Sequence, residues 1–223
     1  MSKKIIVAID ETNLTILNKI LNSLYNNLCM VKIGSVAFNS IGLDALKCAA
    51  EKGFDIFLDL KLHDIPNTVY KSVMGLANLP VKMMTVHISG GIQMLKASKE
   101  ALSGSDIKIF GVTALTSLSD SDTLQIYRST TTEHVNKMLD MAEIAGIDGV
   151  VCSPHELELV SKRESLLSIT PGIRLNDLND DQKRFMTPAE AINLGADFIV
   201  IGRPITCADD ISIALNEVYQ SLN

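Results

Sequence analysis

Asp59, Lys61, His63 and Asp64 end an otherwise apolar run, Asp55-Ile56-Phe57-Leu58-Asp59-Leu60-Lys61-Leu62-His63-Asp64-Ile65-Pro66-Asn67-Thr68. An apolar run with these residue types reads as a buried strand, and a buried strand has no structural need for a cluster of ionisable groups at its end. In extended backbone, residues two apart share a face, so Asp59 and Lys61 would stand on one wall with Phe57 behind them. Burying a carboxylate beside an ammonium is costly unless the two pair. A lone Asp-x-Lys is compatible with a structural ion pair, which is the plainer reading, or with a site that uses the two charges on a bound molecule. The rest of the chain has to decide between them.

The elements that must position these charges follow from hydrophobic periodicity. Ile5 to Ile9 is a β-branched strand ended by Asp10, and Thr12 to Leu28 carries Leu14, Leu17, Ile20, Leu21, Leu24 and Leu28 at helical spacing. Met30 to Ile33 is a second strand interrupted by Lys32; a helix from Gly34 to Lys52 follows, with Gly53 as its stop. The opening stretch is the third strand, and Pro66 precedes a helix over Thr68 to Leu79. Met83 to His87, Lys108 to Thr113, Gly149 to Cys152, Leu166 to Thr170 and Phe198 to Ile201 complete the strands. Further helices are expected after Gly91, from Glu133 to Ala145, from Pro154, from Pro188 to Leu194 and near Ile211 to Leu222. Ser119 to Thr132 and Asn176 to Arg184 read as long polar loops, the first holding at most a short helix. Eight βα units without polar alternation in the strands predict an α/β chain folded as one (β/α)₈ TIM barrel over residues 1–223. A doubly wound sheet is the weaker alternative, because no Gly-x-Gly-x-x-Gly turn follows the first strand.

Composition narrows the function. With 47% hydrophobic residues in 223, the chain can bury a full core, and its net charge of -6 argues against a nucleic-acid or anionic-membrane surface. A small-molecule partner is expected. Cys29, Cys48, Cys152 and Cys207 form no CxxC pair, which fits reduced thiols better than disulfides or a zinc site. The apolar run after Lys4 is too short for a signal sequence, and none reaches the ~18 residues of a membrane span. A cytoplasmic enzyme is the expectation.

A barrel carries its chemistry at the C-terminal ends of its strands. Asp10, Lys32, the pair Asp59 and Lys61, His87, Thr116, Arg174 and Arg203 end or follow seven of the expected strands. Each alone has a bland explanation: a helix cap, a satisfied core histidine, a solvated surface arginine. Their joint placement favours a site. Gly202-Arg203-Pro204 and Pro171-Gly172-Ile173-Arg174 would be two halves of a phosphate cradle after the eighth and seventh strands, with Gln182 a neutral donor nearby.

Asp59-Leu60-Lys61-Leu62-His63-Asp64-Ile65-Pro66-Asn67-Thr68-Val69 resembles the signature of the short bacterial orotidine 5′-phosphate decarboxylases. Val31-Lys32-Ile33-Gly34, Val86-His87 with Gly90-Gly91, Leu115-Thr116-Ser117, Thr170-Pro171-Gly172-Ile173-Arg174, Asp181-Gln182-Lys183-Arg184 and Ile201-Gly202-Arg203-Pro204-Ile205 fall in that family's order. The resemblance implies a homodimeric barrel that decarboxylates orotidine 5′-phosphate with no metal and no cofactor. It implies a catalytic array of Lys32, Asp59, Lys61 and Asp64, with Asp64, Ile65 and Thr68 reaching the partner's site. Asp10 and Lys32 would hold the ribose, Thr116 and Gln182 would lie along the nucleotide, Pro171 and Arg174 would belong to the strand-seven half of the cradle, and Gly202 and Arg203 would take the phosphate. Metal-dependent sugar-phosphate decarboxylases and aldolases share Asp-x-Lys-x-x-Asp but place a carboxylate ligand near the second strand end; here that place is Lys32, which cannot ligate Mg²⁺. A non-catalytic nucleotide binder is the other rival, and it would gain nothing from paired carboxylates beside an anion.

Overall fold

The computed structural model describes residues 3–175 and 186–222. Its strands are β1 (Ile5–Ile9), β2 (Cys29–Gly34), β3 (Ile56–Leu62), β4 (Met83–His87), β5 (Lys108–Val112), β6 (Gly149–Val151), β7 (Leu167–Pro171) and β8 (Phe198–Ile201). Each pairs in parallel with the next, and β1 closes onto β8 through Ile5↔Ile199, Ile6↔Val200 and Val7↔Ile201. Closure removes every sheet edge, and both faces of each strand are covered, which is why β1 is buried along its whole length.

Side-chain alternation sorts the core into two layers. Ile6, Ala8, Met30, Phe57, Met83, Phe110, Ile169 and Val200 fill the barrel interior, with Phe110 edge-on to both Phe57 and Phe198 at 6.4 Å. Ile5, Val7, Ile9, Val31, Ile33, Ile56 and Leu58 have the opposite parity and join the cluster that the helices cover. Two steps along from the interior residues Ala8, Met30, Phe57 and Met83, towards the C-terminal end of the barrel, stand Asp10, Lys32, Asp59 and Thr85.

Several expected boundaries move for identifiable reasons. Asn13 accepts the Thr15 and Ile16 N–H groups, so the first helix is Leu14–Ser23 rather than Thr12 to Leu28. Gly42, at φ 76, divides the helical stretch after β2 into Ser35–Ile41 and Leu43–Glu51. Ser119 to Thr132 is not a long loop. Ser119 with Asp122 and Thr130 with Glu133 form capping boxes that start helices Asp120–Tyr127 and Thr131–Ala145, and Arg128 at φ 55 turns the chain between them. The expected loop Asn176 to Arg184 lies outside the described residues.

At the opposite end of the barrel a three-residue motif recurs where helix gives way to strand. Gly53-Phe54-Asp55, Gly146-Ile147-Asp148 and Gly195-Ala196-Asp197 precede β3, β6 and β8, with the glycines at φ 75, 72 and 98. Glycine takes the left-handed turn, the middle residue is buried, and the aspartate faces neighbouring donors. Asp148 accepts the Ile109 N–H at 2.8 Å and Lys99 Nζ at 2.7 and 2.6 Å. Asp197 accepts the Ser168 N–H at 2.8 Å, and Asp55 pairs with Lys3 at 2.5 Å.

Candidate active site

The apolar strand β3 carries Asp59 into the mouth of the barrel, where the residue is only 7% exposed. Its Oδ2 lies 2.8 Å from Lys61 Nζ and 3.6 Å from Lys32 Nζ, so one carboxylate oxygen faces two ammonium groups. Lys32 extends the chain of charges to Asp10 Oδ1 at 3.2 Å. Asp59 Oδ1 accepts the Thr85 hydroxyl at 3.0 Å.

The Asp59–Lys61 pair forms, though not by simple strand parity. Lys61 has φ 51, and the β3–β4 register slips so that Leu58 pairs with Met84 but Leu62 with Val86. Four residues of travel along β3 thus match two along β4. Left-handed backbone costs a side-chain-bearing residue roughly 1–2 kcal/mol. Here the bulge that requires it also brings the ammonium back over Asp59, and Thr85 Oγ1 accepts the Lys61 N–H at 2.8 Å.

Gly34 has a role that spacing did not reveal. A Cβ on it would lie 2.7 Å from Lys32 Nζ, so the missing side chain is the space the Lys32 ammonium occupies. Thr85 also belongs to the site; its signal in the sequence is a polar residue two beyond the inward-facing Met83 in an apolar strand. At the rim, the His63 and His87 rings lie 5.4 Å apart, and His87 Nδ1 is 3.1 Å from Ser89 Oγ. Burial holds the His87 pKa below the ordinary histidine value, and the neighbouring His63 and Lys61 charges add to the effect. Cys152, after β6, is a poor nucleophile: burial, reinforced by Glu156, pushes its thiol up to about 12.

The other expected residues take separate positions. Asp64 is exposed beyond β3 and accepts the Ile65 N–H at 2.6 Å; among the described residues of this chain it forms no ion pair and does not join the array. Exposed Ile65 leads into the helix Pro66–Leu76, and Thr68 sits in its first turn. Thr116 is exposed after β5. Pro171 ends β7, and Arg174 follows it, its N–H bonded to the Met186 carbonyl at 3.1 Å. Gly202 and Arg203 open the turn after β8. Gln182 lies outside the described residues.

This geometry can hold an anion and stabilise negative charge near Lys61 and Lys32. Similarity to known proteins covers the same residues. The profile of the orotidine 5′-phosphate decarboxylase / HUMPS family matches residues 3–218. The chain is 43% identical to an orotidine 5′-phosphate decarboxylase of Actinobacillus succinogenes, over all of this chain and 99% of that one. It is 42% identical to that of Glaesserella parasuis, with both chains fully covered. The crystal structure of orotidine 5′-phosphate decarboxylase from Lactobacillus acidophilus superposes with a TM-score of 0.88 at 39% identity, again over the whole of both chains. The chain belongs to the orotidine 5′-phosphate decarboxylase / HUMPS family.

Proposed function

We propose that this chain is the decarboxylase that converts orotidine 5′-phosphate to uridine 5′-phosphate and CO₂, the last step of de novo UMP synthesis, without a metal or cofactor. The observation that carries the reading is Asp59 Oδ2 between Lys61 at 2.8 Å and Lys32 at 3.6 Å, at a buried strand end. Relatives named orotidine 5′-phosphate decarboxylase across the full length support the substrate.

Breaking the bond between pyrimidine C6 and the carboxylate leaves an electron pair in the ring plane, where the ring π system cannot accept it. Fixed charge must do the stabilising. A unit charge ~4 Å away at an effective dielectric of ~20 is worth about 4 kcal/mol. Lys61 supplies that charge and, once CO₂ has left, transfers a proton from Nζ to C6. Asp59, 2.8 Å from Lys61 Nζ, keeps the ammonium aimed, and its own negative charge repels the substrate carboxylate. Lys32 occupies the position where a carboxylate ligand would be needed for Mg²⁺, which supports the metal-free course.

Asp10 and Lys32 hold the ribose hydroxyls in this reading. Thr116 and Gln182 lie along the nucleotide, while Gly202 and Arg203, with Pro171 and Arg174, receive the phosphate, whose binding energy orders the site from a distance. The exposed Asp64, Ile65 and Thr68 serve the partner's site in a homodimer. The enzyme is cytoplasmic, consistent with its substrate; among the described residues no helix is long and apolar enough to cross a membrane.

The test is the absorbance change on adding orotidine 5′-phosphate to the purified chain, where steady turnover is expected and its absence rejects the reading. Mixed Lys61→Ala and Asp64→Ala chains should regain activity by forming one intact site per dimer. No recovery after verified subunit exchange would remove Asp64 from the partner's site.

A further inference from the structure

We propose that Thr85 is a positioning residue that sets the charged array, a role that rests on the decarboxylase reading above. Its side chain is 1% exposed and points inward from β4, in line with the interior residue Met83 and across from Asp59. One hydroxyl makes two contacts of opposite sense: it donates to Asp59 Oδ1 at 3.0 Å and accepts the Lys61 N–H at 2.8 Å. That uses its single proton and one lone pair.

Each contact fixes a different degree of freedom. The donated bond holds Oδ1, so the carboxylate cannot rotate and Oδ2 stays directed at Lys61 and Lys32. The accepted bond takes the Lys61 N–H within the β3–β4 register slip, where Leu58 pairs with Met84 and Leu62 with Val86. Lys61 and Arg128 are the two residues other than glycine with positive φ among those described, so the Lys61 backbone needs a partner that holds it there. Thr85 therefore couples the direction of the carboxylate to the position of the ammonium. Without the hydroxyl, Asp59 and Lys61 remain present but can move relative to the reacting carbon.

Thr85→Val removes the hydroxyl at constant shape, and Thr85→Ser restores it. The readouts are kcat for orotidine 5′-phosphate, affinity for uridine 5′-phosphate and thermal midpoint. Thr85→Val is expected to lower kcat by about tenfold or more, as displaced catalytic groups do, with product affinity within about twofold of the parent. Thr85→Ser should return kcat to within about threefold of the parent. A Thr85→Val chain with parental kcat, a Thr85→Ser chain as impaired as Thr85→Val, or product affinity falling in step with kcat overturns the proposal. Should Thr85→Val not fold, Thr85→Ala against Thr85→Ser carries the same comparison; if only the serine chain folds, the hydroxyl serves folding and the positioning role is rejected. A parent chain with no turnover refutes the decarboxylase reading instead, so the two failures are distinct.

Discussion

The two ends of this barrel both carry aspartates at strand termini, and they use them differently. At the N-terminal end, Asp148 and Asp197 accept the N–H groups of Ile109 and Ser168 on neighbouring strands, and Asp148 also holds Lys99 through both oxygens. These carboxylates tie β5 to β6 and β7 to β8, and their charge is met by groups of the scaffold. At the C-terminal end, Asp59 faces the ammoniums of Lys32 and Lys61 and the hydroxyl of Thr85, and among the described residues its carboxylate accepts from side chains rather than from backbone N–H groups. Charge there is concentrated on side chains that pair with one another at the barrel mouth. Scaffold charges of the first kind should govern stability, and charges of the second kind chemistry.

Substitutions at the two ends can break that distinction. Lys61→Ala should have the largest effect: loss of about 4 kcal/mol of charge stabilisation corresponds to roughly a thousandfold in kcat, with little change in thermal midpoint. Asp148→Ala should do the reverse. Losing a carboxylate bonded to a backbone N–H and Lys99 should cost about 2–3 kcal/mol of stability, read by denaturant unfolding, while kcat of the folded chain stays near parental. A large kcat loss in Asp148→Ala would erase the contrast.

Gly34→Ala sharpens the comparison within the C-terminal end. Gly34 has φ -98, which alanine adopts freely, so the added Cβ, 2.7 Å from Lys32 Nζ, should displace the ammonium and leave the fold intact. A fall of about tenfold in kcat/KM at an unchanged midpoint is expected, in keeping with the cost of a misplaced group. The smallest effect concerns His87. Its folded-state pKa lies below the ordinary ~6.5, so the unfolded chain binds more protons between the two values. Stability should fall as pH drops through about 6.5 and be unaffected above it. Unfolding of His87→Gln against the parent across that window should show a flatter profile; identical profiles would exclude the His87 contribution.

Much of this architecture was legible in the chain because buried parallel strands are continuous apolar runs, and Asp10, Lys32 and Asp59 interrupt or end such runs. The pairing of Asp59 with Lys61 was also legible, although the bulge at Lys61 was not, because a register slip depends on the neighbouring strand. The short helix allowed within Ser119 to Thr132 is present as Asp120–Tyr127, but its bounds and the start of the next helix at Thr131 were not legible from periodicity, since the apolar Leu124 and Ile126 face solvent at 50% and 57% exposure; the Ser119 and Thr130 caps were the available signal. Thr85 could have been found by counting inward positions from Met83. The clearance over Gly34 could not, because it depends on the path of the Lys32 side chain.

The most direct measurement is turnover of orotidine 5′-phosphate by the metal-stripped chain in excess EDTA, beside Lys61→Ala under the same conditions. Catalysis by the protein's own charges predicts full parental turnover with EDTA, and in Lys61→Ala retained uridine 5′-phosphate binding with turnover cut roughly a thousandfold. Parental activity that vanishes with EDTA and returns with Mg²⁺, or near-parental turnover in Lys61→Ala, would contradict it.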